Sequence, residues 1–168
     1  MAGASTTDIS LINPCGTCTL CCRLPAVPEL SKPINNWCEF CKAGKGCLIY
    51  SKRPPSCCQY ECMWISEGNL ADDLRPDRCK IIFEQLPGSS TILAIVDPSY
   101  PDQWRKKKMV DLVQMFNGLG RAVVVTNGTD KHIFLPKDKT AQEVMADIQL
   151  AITMTGVTKW QSLPTQQI

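Results

Sequence analysis

Histidine is nearly absent from this chain: His132 is the only one in 168 residues. A single imidazole excludes a zinc centre built on three histidines of this chain, and it argues against His-ligated zinc fingers. Long hydrophobic runs are missing too. No apolar stretch approaches the roughly 18 residues that a membrane-spanning helix needs. The opening M-A-G-A-S-T-T-D-I-S has neither a basic n-region nor an apolar h-region. The expectation is therefore a cytoplasmic chain without a signal peptide and without a membrane contact. Charge of one sign is also scarce. The net charge is +2, with 6 Lys and Arg against 4 Asp and Glu in residues 1–65 and 12 against 12 thereafter. A dedicated nucleic-acid binder carries a stronger basic footprint, so nucleic acid is not the expected partner. No G-x-G-x-x-G, phosphate loop, G-x-S-x-G or spaced catalytic carboxylate pair occurs, so no catalytic residue is assigned.

What is abundant is cysteine, and it is concentrated. Ten of the 11 cysteines lie between Cys15 and Cys62. Residues 1–65 are poor in aliphatic side chains, so they cannot bury a large core without a cross-link or a metal. In a cytoplasmic chain, thiols stay reduced, and clustered thiols are ligands more often than disulfides. The odd number also argues against a fully paired disulfide framework.

Thiolates are soft ligands that suit zinc, Cu(I) and iron–sulfur clusters rather than magnesium or calcium. Cys15, Cys18, Cys38 and Cys41 read C-x2-C-x19-C-x2-C, within the zinc-ribbon range. Cys15, Cys18 and Cys21 read C-x2-C-x2-C, the opening of a bacterial ferredoxin motif without its x3-C-P completion. The two readings compete for the same residues. Cys21 and Cys22 are adjacent, and consecutive side chains diverge in extended backbone. They serve two centres, or one is a ligand and the other packs. The same holds for Cys57 and Cys58. Arg23, Lys42, Lys45, Lys52 and Arg53 lie among the thiols and can offset thiolate charge.

The combination of motifs resembles a family. C-x2-C-x2-C-C at Cys15, Cys18, Cys21 and Cys22 precedes C-x-I-Y-x2-R-P-x2-C-x2-Y-x-C at Cys47, Tyr50, Arg53, Pro54, Cys57, Tyr60 and Cys62. This pattern resembles the YkgJ-type cysteine-cluster family, described as zinc- or iron-chelating or as iron–sulfur-containing. The resemblance covers about residues 15–78. It implies metal ligation by Cys15, Cys18, Cys21, Cys22, Cys47, Cys57 and Cys62, with Cys38 or Cys41 filling a further position and Cys38 preferred. It places Arg53 beside the cofactor and leaves Cys58 and Cys79 as extras. The region is also similar to the cysteine region of flagellin lysine-N-methylases, which implies a 4Fe–4S cluster as one cofactor, with zinc as the other.

The remainder reads as ordinary protein. Residues 80–86 and 91–96 are β-rich runs around the turn signal Pro87-Gly88-Ser89-Ser90. Residues 102–117 read as a helix with Val110, Val113 and Phe116 inward, followed by residues 122–126 and 131–135 as a hairpin around Asn127-Gly128. Thr140-Ala141-Gln142-Glu143 is a capping box that opens a final helix, with Ala141, Val144, Met145, Ile148, Ala151 and Ile152 on one face and Gly156 as its stop. The expected class is α+β: a lead-in over 1–11, a loop-rich cysteine metal-binding module over 12–66, a connector over 67–78, a small antiparallel sheet with two helices on one face (hairpin-helix-hairpin-helix) over 79–156, and a tail over 157–168. Cys79 is expected as a buried thiol, Arg105-Lys106-Lys107-Lys108 as a solvated helix start, and Trp37 and Trp64 as shields of the cysteine site. The expected function is metal binding in a structural or binding module. An iron–sulfur redox or enzyme-support protein and a metal-stapled subunit of a larger assembly, each with a protein partner, stand beside it.

Overall fold

The computed structural model describes residues 15–155, and over them the chain is α+β. The lead-in over 1–11, Gly156 and the tail over 157–168 lie outside the described residues.

The sheet forms where apolar β-branched residues are densest. β3 (Ile81–Gln85) and β4 (Ile92–Val96) pair antiparallel, from Ile81 opposite Val96 to Gln85 opposite Ile92. β5 (Val123–Thr126) and β6 (Lys131–Phe134) form a second antiparallel hairpin. The two hairpins meet through β4 and β5, which run parallel with Ile92 opposite Val123. The order is β3-β4-β5-β6. The expectation of an antiparallel sheet is corrected at this central pair. α4 (Lys107–Gly118) lies between β4 and β5 and returns the chain to the starting edge, which a parallel pair requires.

The helices also divide between faces. Ile81, Phe83, Ala94, Val96, Val123 and Val125 share a core with Met109, Val113 and Phe116 of α4. On the opposite face, Leu93 and Val124 pack against Val144, Ile148 and Ala151 of α5 (Ala141–Thr155). Two helices on one face is therefore the wrong arrangement. Both faces of the central strands β4 and β5 are apolar, and the two-residue strand period needs a cover on each. Met109 replaces Val110 as the first inward residue of α4. A 3-10 turn at Gln103–Arg105 and the extended Lys106 (ψ 138°) delay the helix to Lys107, which sets Met109, Val113 and Phe116 at i, i+4 and i+7. Arg105, Lys107 and Lys108 pair with Asp102, Asp111 and Asp73, as a solvated helix start does. The capping box forms: the Thr140 amide donates to Glu143 Oε2 at 2.7 Å, and the Glu143 amide donates to Thr140 Oγ1 at 3.3 Å.

The cysteine region has little regular structure. β1 (Cys41–Lys42) and β2 (Gly46–Cys47) make a two-residue hairpin, with Gly44 at φ +70° in its turn. α1 (Pro55–Cys58), α2 (Met63–Ser66) and α3 (Pro76–Cys79) are single turns. Within the connector, Pro76 opens α3, because its fixed φ suits a first helical position. This region packs on the β3/β4 end of the face that α5 covers. Ile82 and Ile95 join Cys18, Leu20, Leu24, Cys62 and Trp64 in one apolar cluster.

Candidate metal centre

The fold gathers the cysteines from four separate loops. The turn after Cys15 returns the Cys18 amide to the Cys15 carbonyl (3.0 Å), and a 3-10 turn at Leu20–Cys22 presents Cys21 and Cys22. The Cys38 amide bonds the Cys22 carbonyl at 2.9 Å, which ties the second loop to the first. The hairpin sets Cys41 opposite Cys47. α1 brings in Cys57, and Cys62 caps α2.

Cys15, Cys18, Cys21, Cys22, Cys38, Cys47 and Cys57 line one cavity of about 870 Å³. Cys41 reaches it through a thiol contact with Cys22. Cys62 sits behind it, 7% exposed, in the apolar cluster with Cys18. All nine sequence-assigned thiols therefore belong to one neighbourhood. Cys58 is exposed, and its thiol donates to the Arg53 carbonyl. Cys79 is buried elsewhere, 3% exposed, with its thiol donating to the Ile81 carbonyl at 3.1 Å. All eleven cysteines are free thiols.

The adjacent Cys21 and Cys22 thiols meet each other and differ in their further neighbours. Cys21 bonds Cys15, on the side where Cys18 and Cys62 are buried. Cys22 bonds Cys41 and lies within electrostatic reach of Cys38 and Cys57. The Cys21 thiol stands between the Cys15 and Cys22 sulfurs, with one proton to share between them. It keeps its proton, pushed far up by Cys15 and Cys22. The same bonds draw Cys15 down to about 7 and Cys22 to about 6, against burial. Burial raises Cys18 to about 11 and Cys41 to about 12. Amides offer partial compensation: those of Leu20 and Asp77 face the Cys18 sulfur, and those of Ile65 and Trp64 face Cys62.

The cations that reach the sulfurs are only partly those the sequence indicated. Arg53 lines the cavity, acts on Cys15 and Cys22, and lies over the Tyr50 ring at 3.7 Å with Nε donating to the Tyr50 carbonyl. Arg75 acts on Cys15 and is paired with Asp77. Lys32 is buried; burial pulls its ammonium pKa down, and the Cys38, Cys22 and Cys57 sulfurs oppose that electrostatically. Arg23 is committed elsewhere, to Asp97 at 2.7 Å and Ser99 at 2.7 Å. Lys42, Lys45 and Lys52 are exposed. Lys32 carried no sequence signal, since a lysine before proline in a loop reads as solvated.

The cavity extends past the sulfurs to Glu84 on β3, which is 5% exposed and bonded to the buried Tyr60 hydroxyl. Glu84 shares its face with Ile82, so the strand period points it under the cysteine region. Trp64 is buried beside Cys18 and Cys62, as a shield should be; Trp37 is half exposed, with the Arg23 guanidinium 5.6 Å from its ring. His132 stacks on Trp104 and is not among the cavity-lining residues.

Among the described residues, no three His, Cys, Asp or Glu side chains stand in the arrangement of a ready single-ion site. The donor set nonetheless fits a thiolate-held centre in its chemistry: soft sulfurs, amides directed at them, and nearby cations. Comparison with family models, curated proteins and solved structures finds no match.

Proposed function

We propose that this chain is a metal-binding protein whose cysteine thiolates hold an iron–sulfur cluster of the 4Fe–4S type. The observation that carries this reading is the convergence of seven cysteines on the wall of one cavity, more sulfurs than a single tetrahedral ion takes. The resemblance to YkgJ-type proteins, described as zinc- or iron-chelating or as iron–sulfur-containing, accommodates this reading and the next. Cys15, Cys18, Cys21, Cys22, Cys38, Cys47 and Cys57 are the candidate ligands at the cavity wall, with Cys41 and Cys62 adjoining. Bound there, a cluster supplies one-electron transfer or a structural cross-link. The chain's own part is to supply thiolates, aim amides at sulfur, and exclude water with Trp64 and Leu24.

The second reading is structural zinc. It is favoured by the β1/β2 hairpin, which places Cys41 opposite Cys47, with Cys38 close before it in the chain. Zinc would then replace a hydrophobic core in this region.

Anaerobic purification, followed by an absorption spectrum with iron, zinc and acid-labile sulfide analysis on one sample, separates the readings. A brown protein with iron and sulfide supports the cluster. A colourless protein with one or two zinc ions supports the staple. A protein with neither metal sinks both.

A further inference from the structure

Cys41 and Cys47 stand directly opposite each other in the β1/β2 hairpin, the one place where strand register sets two cysteines side by side among the described residues. One step outside them, the Leu48 amide donates to the Phe40 carbonyl at 2.8 Å. Antiparallel pairs alternate between hydrogen-bonded and non-hydrogen-bonded. Phe40 and Leu48 are therefore a bonded pair, and Cys41 and Cys47 a non-bonded one. Opposite residues direct their side chains to one face, and a non-bonded pair brings its Cα atoms to about 4.5 Å. A disulfide spans Cα separations of roughly 4.4–6.8 Å. The backbone register thus places this pair within disulfide reach.

Both thiols are free and half-buried, and Lys42, Ala43, Gly44 and Lys45 between them are exposed, so a small oxidant reaches the hairpin from solvent. Gly44 at φ +70° and Gly46 at φ +130° let the turn take up a change in twist that a side chain there would resist. The tip is anchored as well: the Gly44 amide donates to Thr19 Oγ1 at 3.1 Å, on the loop that carries Cys18 and Cys21. Cys47 lines the cavity. A bond between Cys41 and Cys47 therefore removes two sulfurs from those available to a metal.

We propose that the Cys41–Cys47 pair is a redox switch: hydrogen peroxide converts it to a disulfide, and the centre then releases its metal. One sulfur attacks a peroxide oxygen, the O–O bond breaks, and water leaves, giving a sulfenic acid. The other sulfur attacks that sulfur, the S–O bond breaks, and a second water leaves as the S–S bond forms. Two thiols lose two protons and two electrons, and one peroxide becomes two waters. The disulfide follows from the hairpin alone. The release of metal rests on the thiolate-centre reading above.

The test uses the full reduced chain, metal-free in one arm and, in the other, loaded with Zn²⁺ or reconstituted with iron and sulfide. Each is treated with an equimolar amount of hydrogen peroxide. The remaining thiols are alkylated, disulfides are mapped by peptide mass spectrometry, and freed metal is read with a chromogenic chelator over the same time course. The expected result is a Cys41–Cys47 link in most metal-free chains. In the loaded arm, most of the metal should leave in step with that link, and binding should return after reduction with dithiothreitol. A dominant link between any other pair, Cys22 with Cys41 included, overturns the proposal, and so does the absence of a link. A loaded chain that keeps its metal under peroxide also overturns the switch, whether or not the link forms. A wild-type chain that binds neither zinc nor iron overturns the thiolate-centre reading and the release step with it, while the metal-free map still decides the disulfide.

Discussion

The two parts of this molecule solve the same problem with different means. From Ile81 to Ala151, the strands and helices exclude water with aliphatic side chains on both faces of a sheet; Ile82, Ile92, Val96, Val123, Val124 and Val144 are wholly buried or nearly so. Between Cys15 and Cys62, the buried apolar residues are few: Cys18, Leu20, Leu24, Val27 and Cys62. Regular structure there is limited to single turns and a two-residue hairpin. The sheet part is held by burial that scales with apolar area. The cysteine part has too little such area, and its density lies instead in thiols. On the metal-binding proposal, the contrast means that the sheet part stands on its own core while the cysteine part depends on what its sulfurs bind.

Removal of metal tests that contrast most severely. A strong chelator under reducing conditions is expected to abolish amide-exchange protection through residues 15–62 while β3, β4 and β5 keep theirs. Equal loss in both parts, or in neither, would erase the distinction. Next in size is Phe83→Ala. Phe83 is 4% exposed and packs on Phe116 at a centroid distance of 6.3 Å. Its truncation should cost about 3–5 kcal/mol in urea unfolding, with or without the chelator.

The joint between the parts comes third. Arg23 follows Cys22 directly and pairs with Asp97, which is 2% exposed at the end of β4. Asp97→Asn should cost about 2 kcal/mol, less than a fully buried pair because Arg23 keeps some solvent. It should also speed exchange at Arg23 and Leu24 more than in β5. Uniform acceleration across the chain would show that the pair supports the whole fold, not the joint.

Smaller still is the acid response of the sheet part. Burial alone would raise the Asp147 carboxyl, but the Thr91 hydroxyl (2.6 Å), Lys139 (2.9 Å) and Ser89 outweigh it and hold it below its ordinary 3.8. A folded value below the unfolded one stabilises above about pH 4 and is lost as pH falls through that range. Stability should therefore drop from pH 5 to pH 3, and Asp147→Asn should flatten part of that drop. Thr91→Val should cost about 1 kcal/mol at pH 7. The smallest effect is expected from Cys58→Ser, within about 0.5 kcal/mol, since Cys58 is exposed. Metal retention equal to wild type would keep Cys58 outside the centre.

Much of the sheet part was legible because local patterns carry it. The β-rich runs, the Thr140–Glu143 box and the inward Val144, Ile148 and Ala151 each follow from a period or a motif spanning a few residues. The β4/β5 pairing did not show, since apolar strands read alike whether their neighbours run parallel or antiparallel. Met109 was missed because a single extended residue, Lys106, shifted the phase of α4. In the cysteine part, spacing singled out the thiols, and seven of the nine line one cavity. Which sulfur faces which could not be read from spacing, because loops without period carry no register.

The sequence by itself determined that thiols dominate residues 15–62, that aliphatics dominate the rest, and where most strands and the last helix lie. These follow from composition and short-range periodicity. Only the tertiary structure decided that Cys21 and Cys22 meet each other while adding different further neighbours, that Glu84 and Tyr60 meet at the cavity, and that Lys32 is buried on three backbone carbonyls. Each of these depends on segments distant in sequence closing over one another. Burial and charge compensation belong to that closure and to no single stretch of chain.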